Sequence, residues 1–339
     1  MKVLFLTSGP TVPSTRFRIL QFVPLLEAEG HECVVAHSWP DKYEQSKWLG
    51  FRLSQRARRW KRQLDLVRAK RGRFDVVVVE RELFNDATFD LELEFRRLAP
   101  RLVLDIDDGV FLKWPEKIAR VAGSADCVIA GSDLLADALR QYSPSVAIVP
   151  TCVDLRRYAV KEHVQASEQV IGWTGTSSNL ASLGLIEGAL QELTNQTPFV
   201  LSMIADDLTR LIPGVHGRFE LWTKEREAAA LLEFDVGIMP LPDDDWSRFK
   251  CGFKLIQYMA AGLPTVASPV GVNPQIVVPG VTGELAETKA EWVAAMAGLL
   301  GDVERRRQMG AAGRQRVEER YSVQTNWERW RQAVLGPGP

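Results

Sequence analysis

The sequence predicts an α/β protein made of two doubly wound parallel-sheet domains. Three observations carry this. Short Val/Leu/Ile runs at 2–6, 75–79 and 101–104 alternate with stretches of helical spacing, the mark of parallel strands covered on both faces. The strand–loop–helix pattern restarts near residue 169. The 339 residues exceed one typical domain but suit two of about 150–170 residues each.

In order, residues 2–6 read as a strand, and Thr7 to Ser14 is turn chemistry. Ile19, Leu20, Phe22, Val23, Leu25 and Leu26 recur at helical spacing until Gly30 stops the helix. Strands follow at 31–36, 75–79, 101–104, 125–130 and 146–149. After a boundary region (155–168), in which 156–162 has no apolar period and suits a linker, the second set begins: strand 169–173, helix 181–193, strands 199–204 and 218–222, helix 225–233, strand 235–239, helix 253–261 and strand 264–268. A charged helical stretch runs from about 288 to 335. The expected domains are 1–160 and 161–320. A C-terminal helix and tail, 321–339, has the option of packing back on the N-terminal domain.

Composition narrows the class. Lys+Arg is 42 and Asp+Glu 43, so no global basic excess points to nucleic acid. Four cysteines (Cys33, Cys127, Cys152, Cys251) lie far apart, and four histidines (His31, His37, His163, His216) lack ligand spacing. Neither a disulfide framework nor a metal site is expected, and a reduced cytoplasmic protein is. The apolar start, 3–6, is too short for a signal peptide, and no run approaches the ~20 apolar residues of a membrane span.

In doubly wound sheets ligands bind beyond the carboxyl ends of the strands. After strand 235–239 a proline-bounded loop carries Arg248 and Lys250, then Gly252, and enters an apolar helix bearing Lys254. Glycine permits close backbone approach, the helix start offers N–H groups and partial positive charge, and the lysines add donors. Together they make a metal-free cradle for a diphosphate. The loop after strand 169–173, with Gly175, Thr176 and Ser177, has the small and hydroxyl residues that can face a phosphate. In the first half, Gly9 lies in the loop after the first strand. Arg16 and Arg18 begin the first helix, where cations oppose the helix dipole. Facing an anionic ligand is one reason for them, and salt bridges are the other. Glu82 follows the Val-rich strand, and Asp105, Asp107 and Asp108 follow the next. The D-I-D string also invites a metal-site reading, but the two-sheet layout and separate basic loop argue against it.

The stretches F-D-V-G-I-M-P-L-P, K-C-G-F-K-L-I-Q-Y-M-A-A-G-L-P-T-V-A-S-P-V-G-V-N and G-V-T-G-E-L-A resemble the retaining glycosyltransferases of family 4. The resemblance implies the GT-B fold, two facing Rossmann-like domains with a cleft between them. It implies a hexosyltransferase that moves a sugar from a nucleotide diphosphate sugar to a glycan, glycolipid or lipid-linked acceptor. No metal or other cofactor is implied. It puts Gly252, Phe253 and the Gly175–Ser177 loop on the donor, Trp222 near the nucleotide base, and Gln257 on the ribose, while Lys250 and Lys254 look like this chain's own catalytic groups for stabilising the leaving diphosphate. It puts Asp107 beside the reacting sugar, where many members have a His, and Gly9 and Arg16 on the donor. Arg18, Glu82, Asp105 and Asp108 fall on the acceptor side. The family's E-x7-E pair is replaced by Phe249 and Gln257. That departure leaves a non-catalytic nucleotide-sugar-binding or membrane-docking homologue open. The carboxylates between Glu80 and Asp108 leave a nucleotide-sugar epimerase open.

Residues 47–73 hold eleven Lys/Arg and one acid, Asp65, a local charge of +10. Leu49, Leu53, Ala57, Trp60, Leu64 and Val67 form one apolar stripe of a helix. A basic amphipathic helix with Trp suits an anionic membrane surface. The other reading is a stripe packed on the core behind a solvated charged face. No nucleic-acid motif accompanies the patch. The expected location is cytoplasmic, peripheral on the inner face of the plasma membrane, in cell-surface polysaccharide biosynthesis.

Overall fold

The computed structural model describes residues 1–42, 50–207 and 212–336. They form two compact units. The first is Met1–Cys152 with the chain from Asn326 on, and the second is Val153–Thr325.

The first unit contains strands β1 (Lys2–Thr7), β2 (Glu32–His37), β3 (Val76–Glu80), β4 (Arg101–Ile106), β5 (Cys127–Ala130) and β6 (Val146–Ile148). Its helices are α1 (Val23–Ala28), α2 (Gly50–Gly72), α3 (Asp90–Arg96), α4 (Val110–Lys113), α5 (Pro115–Ser124) and α6 (Asp133–Leu139). The second unit has β7 (Gln169–Thr174), α7 (Glu187–Thr194), β8 (Phe199–Ala205), β9 (Gly217–Leu221) and β10 (Val236–Met239). After these come α8 (Asp245–Arg248), α9 (Phe253–Ala260), β11 (Thr265–Ala267), α10 (Asn273–Ile276), β12 (Gly283–Leu285), α11 (Lys289–Gly301) and α12 (Val303–Arg320). Helix α13 (Val323–Leu335) closes the described chain.

Both sheets are six-stranded and parallel. The first runs β2-β1-β3-β4-β5-β6, so its order reverses between β1 and β3. The second runs β12-β11-β10-β7-β8-β9. Counted from β7, this is the 3-2-1-4-5-6 order of dinucleotide-binding sheets, with the reversal between β7 and β10. Those reversals are where such sheets open a crevice for ligands. The Val-rich runs are buried on both faces, as expected: Val3–Leu6 and Val76–Val79 in one core, Ile171, Trp173, Leu201, Met203 and Ile238 in the other.

Some elements differ from expectation for local reasons. The first helix is a π-helical segment, Thr15–Leu20, followed by α1, because Pro24 starts a new helix at its first turn. The expected helix 181–193 is 3-10 from Ser177 to Ile186, where serines, Asn179 and Gly184 are poor helix formers, and α-helical only from Glu187. The expected helix 225–233 is regular only over Ala229–Glu233. Strand β12 is three residues at a sheet edge, too short to carry a pattern.

The stretch expected to link the domains is a strap on the second unit. Val153 N–H donates to Tyr321 O at 2.9 Å, and Lys161 N–H donates to Ala261 O at 2.9 Å. Tyr158 is buried, and His163 lies against the Gly262 carbonyl at 2.8 Å. The chain therefore changes unit at Cys152, ahead of the expected boundary at 160. At the other end, Trp330 stacks on Phe22 at 4.6 Å and donates its indole N–H to Arg18 O at 3.1 Å, within the first unit.

Helix α2 is inverted relative to its sequence pattern. Its buried residues are Ser54, Arg58, Arg62, Asp65, Leu66 and Ala69, while Leu53, Trp60 and Val67 of the apolar stripe are exposed. The inward arginines close carbonyls at the strand ends. Arg62 donates to Thr7 O at 2.5 Å and Ala36 O at 2.8 Å, and Arg58 to Pro40 O and Asp41 O. A buried guanidinium needs acceptors for its several donors, and this cluster of carbonyls supplies them. The expectation of a core-packed stripe with a solvated basic back is thus corrected. Leu49 and Lys47 of that stretch lie outside the described residues.

Candidate active site

At the β7/β10 reversal, the loop after β7 meets the start of α9. Gly252 takes a left-handed conformation (φ +61°) and caps α9 without a side chain. The positive φ favours glycine, and a Cβ there would fall 2.2 Å from Ile276 Cδ1 and have to push that side chain aside. Gly252 itself offers no capping side chain at the start of α9, the end of a helix that favours anions. Lys254, in that first turn, lies across Gly175. Its Nζ is 5.5 Å from the Trp173 ring centre, and a Cβ on Gly175 would fall 2.6 Å from its Cε. Lys250 donates to Asn179 Oδ1 at 3.0 Å. Two cations, a glycine turn and a helix start therefore converge on one sheet end.

Tyr258 fixes this arrangement. Its hydroxyl accepts from Thr174 N–H at 2.9 Å, where β7 ends, and approaches Ile238 O on β10. Burial pushes the phenol up beyond its ordinary range, so it stays a neutral hydroxyl. Gly237 leaves room for the ring; a Cβ would lie 2.5 Å from it. Tyr258, Asn179 and the aromatic floor under Lys254 were not singled out from the sequence. Only spatial proximity reveals them.

Other expected donor residues are engaged differently. Ser177 N–H donates to Asp206 Oδ1 at 2.5 Å, and its hydroxyl faces the same carboxylate at 3.2 Å. An acid therefore occupies the position expected for a phosphate. The Thr176 hydroxyl bonds Ser178 and Asn179 at 2.9 and 2.7 Å. Gln257 is buried and donates to Tyr158 OH at 3.1 Å, so it ties the strap to α9 instead of presenting an amide to a ribose. Trp222 follows β9 half-buried, its indole N–H on Glu227 Oε1 at 3.3 Å. Arg248 turns to Asp243 at 2.7 Å, away from the lysines' role. Phe253 opens α9 half-buried.

The carboxyl end of the first sheet is a set of closed ion pairs. Arg18 and Asp105 are fully buried and doubly hydrogen-bonded, at 2.9 Å each, and Arg18 also donates to Val149 O at 2.7 Å. Burial pushes the Asp105 carboxyl up to about 6, against the pull of Arg18. The acceptor-side role expected for both is corrected to a structural one, since neither reaches solvent. Asp107 accepts from Arg81 Nε, and Asp108 lies 3.6 Å from the same guanidinium. Burial would raise Asp107, but the Arg81 charge and hydrogen bond outweigh it and hold the carboxyl below its ordinary range. Asp107 is therefore an ionised partner of Arg81, a poor proton acceptor. Glu82 pairs with Lys42 at 2.6 Å, both buried. Over Gly9 sits the Asp41 carboxylate, 2.2 Å from where a Cβ would be, so the glycine makes room for an acid, not an anionic ligand. Arg16 is buried with its guanidinium 4.8 Å over the Phe17 ring. Glu80, read only as part of a charged cluster, is the hub. It accepts from Ser8 N–H at 3.0 Å, Thr15 Oγ1 at 2.5 Å and the Ser14 hydroxyl.

Among the described residues no group of three or more His, Cys, Asp or Glu side chains could hold a metal ion. Nor is any helix among them long and apolar enough to cross a membrane.

Two parallel Rossmann-like sheets in one chain, with a basic turn at the reversal of the second, define the GT-B class of fold. Comparisons with known proteins agree. Residues 168–302 match the family model for the group 1 glycosyl transferases. A D-inositol 3-phosphate glycosyltransferase of Segniliparus rotundus is 26% identical over 231 residues, covering 59% of this chain and 51% of the relative. The chain thus spans about half the length of the curated relative it matches. Among solved structures, sucrose-phosphate synthase from Thermosynechococcus elongatus superposes with a TM-score of 0.73 at 16% identity, covering 98% of both chains. Anabaena HepE in complex with UDP and glucose gives 0.70 at 15% identity, over 99% of this chain and 100% of that one. A glycosyltransferase from Rickettsia africae gives 0.71 at 11% identity, over 99% of both.

Proposed function

We propose that this chain is a hexosyltransferase that transfers a sugar from a nucleotide diphosphate sugar to a glycan, glycolipid or lipid-linked acceptor. The reaction is read as retaining and metal-independent. The location is read as cytoplasmic and peripheral, at the inner face of the plasma membrane, in cell-surface polysaccharide synthesis. One observation carries the reading: Lys254 lies over Gly175 at the β7/β10 reversal, beside the start of α9. A leaving nucleoside diphosphate develops negative charge as the glycosidic bond breaks. Lys254 and Lys250, beside the positive end of the α9 dipole, are cationic groups placed for that charge, the kind of preorganised stabilisation that dominates at such sites. The match over residues 168–302 supports the same assignment.

UDP is the first nucleotide to test, because the Anabaena neighbour was solved with it. A thermal-shift screen with UDP-, GDP-, ADP- and TDP-sugars reads the donor directly, since a ligand held only by the native state raises its stability. An upward shift with one nucleotide, abolished in Lys254→Ala, is the expected outcome. No shift with any of them overturns the donor site.

A second reading, binding without transfer, is favoured by Gln257, which is spent on Tyr158 where the family has a glutamate. Donor binding without nucleotide release to any acceptor would decide for it. No comparable observation favours an epimerase. The carboxylates it would need, from Glu80 to Asp108, are held by cations and hydroxyls.

A further inference from the structure

Helix α2 turns its apolar row to solvent. Trp60 is 63% exposed, Leu53 51% and Val67 49%, and they recur at seven-residue steps on the side opposite the buried Arg58 and Arg62. Arg52, Arg56, Arg59, Arg68, Lys70 and Arg71 are exposed around that row. The single acid of the helix, Asp65, is buried and paired with Lys61 at 2.5 Å. Beside the row, α2 and the edge strand β2 enclose a groove of about 820 Å³, lined among others by Val35, Trp39, Trp60, Leu64, Ala69 and Phe74. Its size falls within the ~300–1,000 Å³ range of sites that take small organic ligands. Trp39 at its mouth is 57% exposed.

Burying arginines while exposing tryptophan and aliphatic side chains costs hydrophobic stabilisation unless the row is covered by something apolar. The surrounding cations say what covers it. A second copy of the same face would bring like charges together. A bilayer with anionic headgroups offers negative charge at the level of the arginines and hydrocarbon at the level of Trp60.

We propose that α2 docks the first unit on an anionic phospholipid leaflet, with the Leu53–Trp60–Val67 row in the acyl boundary, the flanking arginines on headgroup phosphates, and a lipid chain in the α2/β2 groove. This names the surface behind the peripheral location read above. It does not depend on the donor site.

The test is flotation of the whole protein with vesicles of phosphatidylcholine alone or mixed with phosphatidylglycerol. Wild type is expected to float with the mixed vesicles and to lose at least about tenfold in partitioning on pure phosphatidylcholine, because each surface cation adds to binding on an anionic leaflet. Trp60→Glu with Val67→Glu should lose about tenfold or more on the mixed vesicles. Arg52→Gln with Arg56→Gln and Arg68→Gln should cancel most of the dependence on phosphatidylglycerol. All five positions are exposed, and an unchanged thermal transition checks that the variants fold. Equal flotation on both vesicle types overturns the proposal. So does wild-type flotation by the double-glutamate variant. A concentration-dependent dimer without lipid, dispersed by that variant, also overturns it and gives the face to a second copy. A nucleotide thermal shift on the same preparations reports on the donor site separately, so either idea can fail alone.

Discussion

Arg18, Arg81 and Lys42, at the carboxyl end of the first sheet, each close on a carboxylate. At the same end of the second sheet, Lys250 meets an amide oxygen and Lys254 an indole face. Both ends are rich in charge, and both follow buried parallel strands. The first end neutralises its charges internally and thereby fixes its loops: Glu80 holds the Ser8–Thr15 turn, and Lys117 with Glu92 holds the 83–86 segment. The second directs cations over a glycine turn. A charged sheet end is thus not by itself a ligand site. What distinguishes the two is burial: Arg18, Asp105, Lys42 and Glu82 are shut away from solvent, whereas Lys250 and Lys254 are half-buried beside a glycine turn.

The largest effect should come from breaking the first end. Arg18→Ala strands a buried Asp105 carboxylate, and removing one partner of such a pair costs about 3–5 kcal/mol. Urea unfolding should show a stability loss of that size, read from a lower midpoint at unchanged slope. Replacing both, Arg18→Met with Asp105→Leu, should recover most of it, because two buried charges then disappear together. A mild effect of the single substitution would dissolve the contrast between the sheet ends.

At the second end the expectation is reversed. Lys254→Ala should leave the unfolding midpoint nearly unchanged but weaken nucleotide diphosphate binding tenfold or more, about 1.4 kcal/mol. Calorimetry measures it. Gly175→Ala should mimic that loss with Lys254 still present, because its Cβ falls 2.6 Å from Lys254 Cε and must displace the side chain. If Gly175→Ala binds like wild type, the lysine does not need its place over the glycine.

The smallest effect is a pH dependence shared by both units. His37 and His163 are pushed down, first of all by burial. The unfolded chain therefore takes up protons near 6.5 before the native state does, and each histidine withdraws stability as pH falls below that value. Asp105, pushed up to about 6, acts in the opposite sense, since the native state binds its proton more readily than the unfolded chain. His163→Gln should flatten part of the decline between about pH 6.5 and 5. An unchanged profile would mean that His163 does not stay neutral against Gly262.

Much of this protein was legible in its sequence. The Val-rich runs gave the strands, because a run buried on both faces must be apolar throughout. The glycine and lysine spacing around 250–254 pointed to the turn and helix start that the fold builds. Long stretches with a strong period fared well, while serine- and glycine-rich helices and the three-residue β12 did not. The individual partners were not legible. Asp206 against Ser177, Asp41 over Gly9, Gln257 on Tyr158 and Arg18 on Asp105 join residues between 29 and 99 positions apart. No local pattern encodes such pairings.

Helix α2 marks the boundary most clearly. Its apolar residues recur at three and four positions whatever surrounds them, so an amphipathic helix was determined locally. Which face turns inward was settled only by tertiary structure. The carbonyls of Thr7, Ala36, Pro40 and Asp41 gather below the helix, and Arg58 and Arg62 donate to them. A guanidinium can be buried only where its donors find acceptors, and this cluster of carbonyls lets the arginine face turn inward and leaves the apolar row outward.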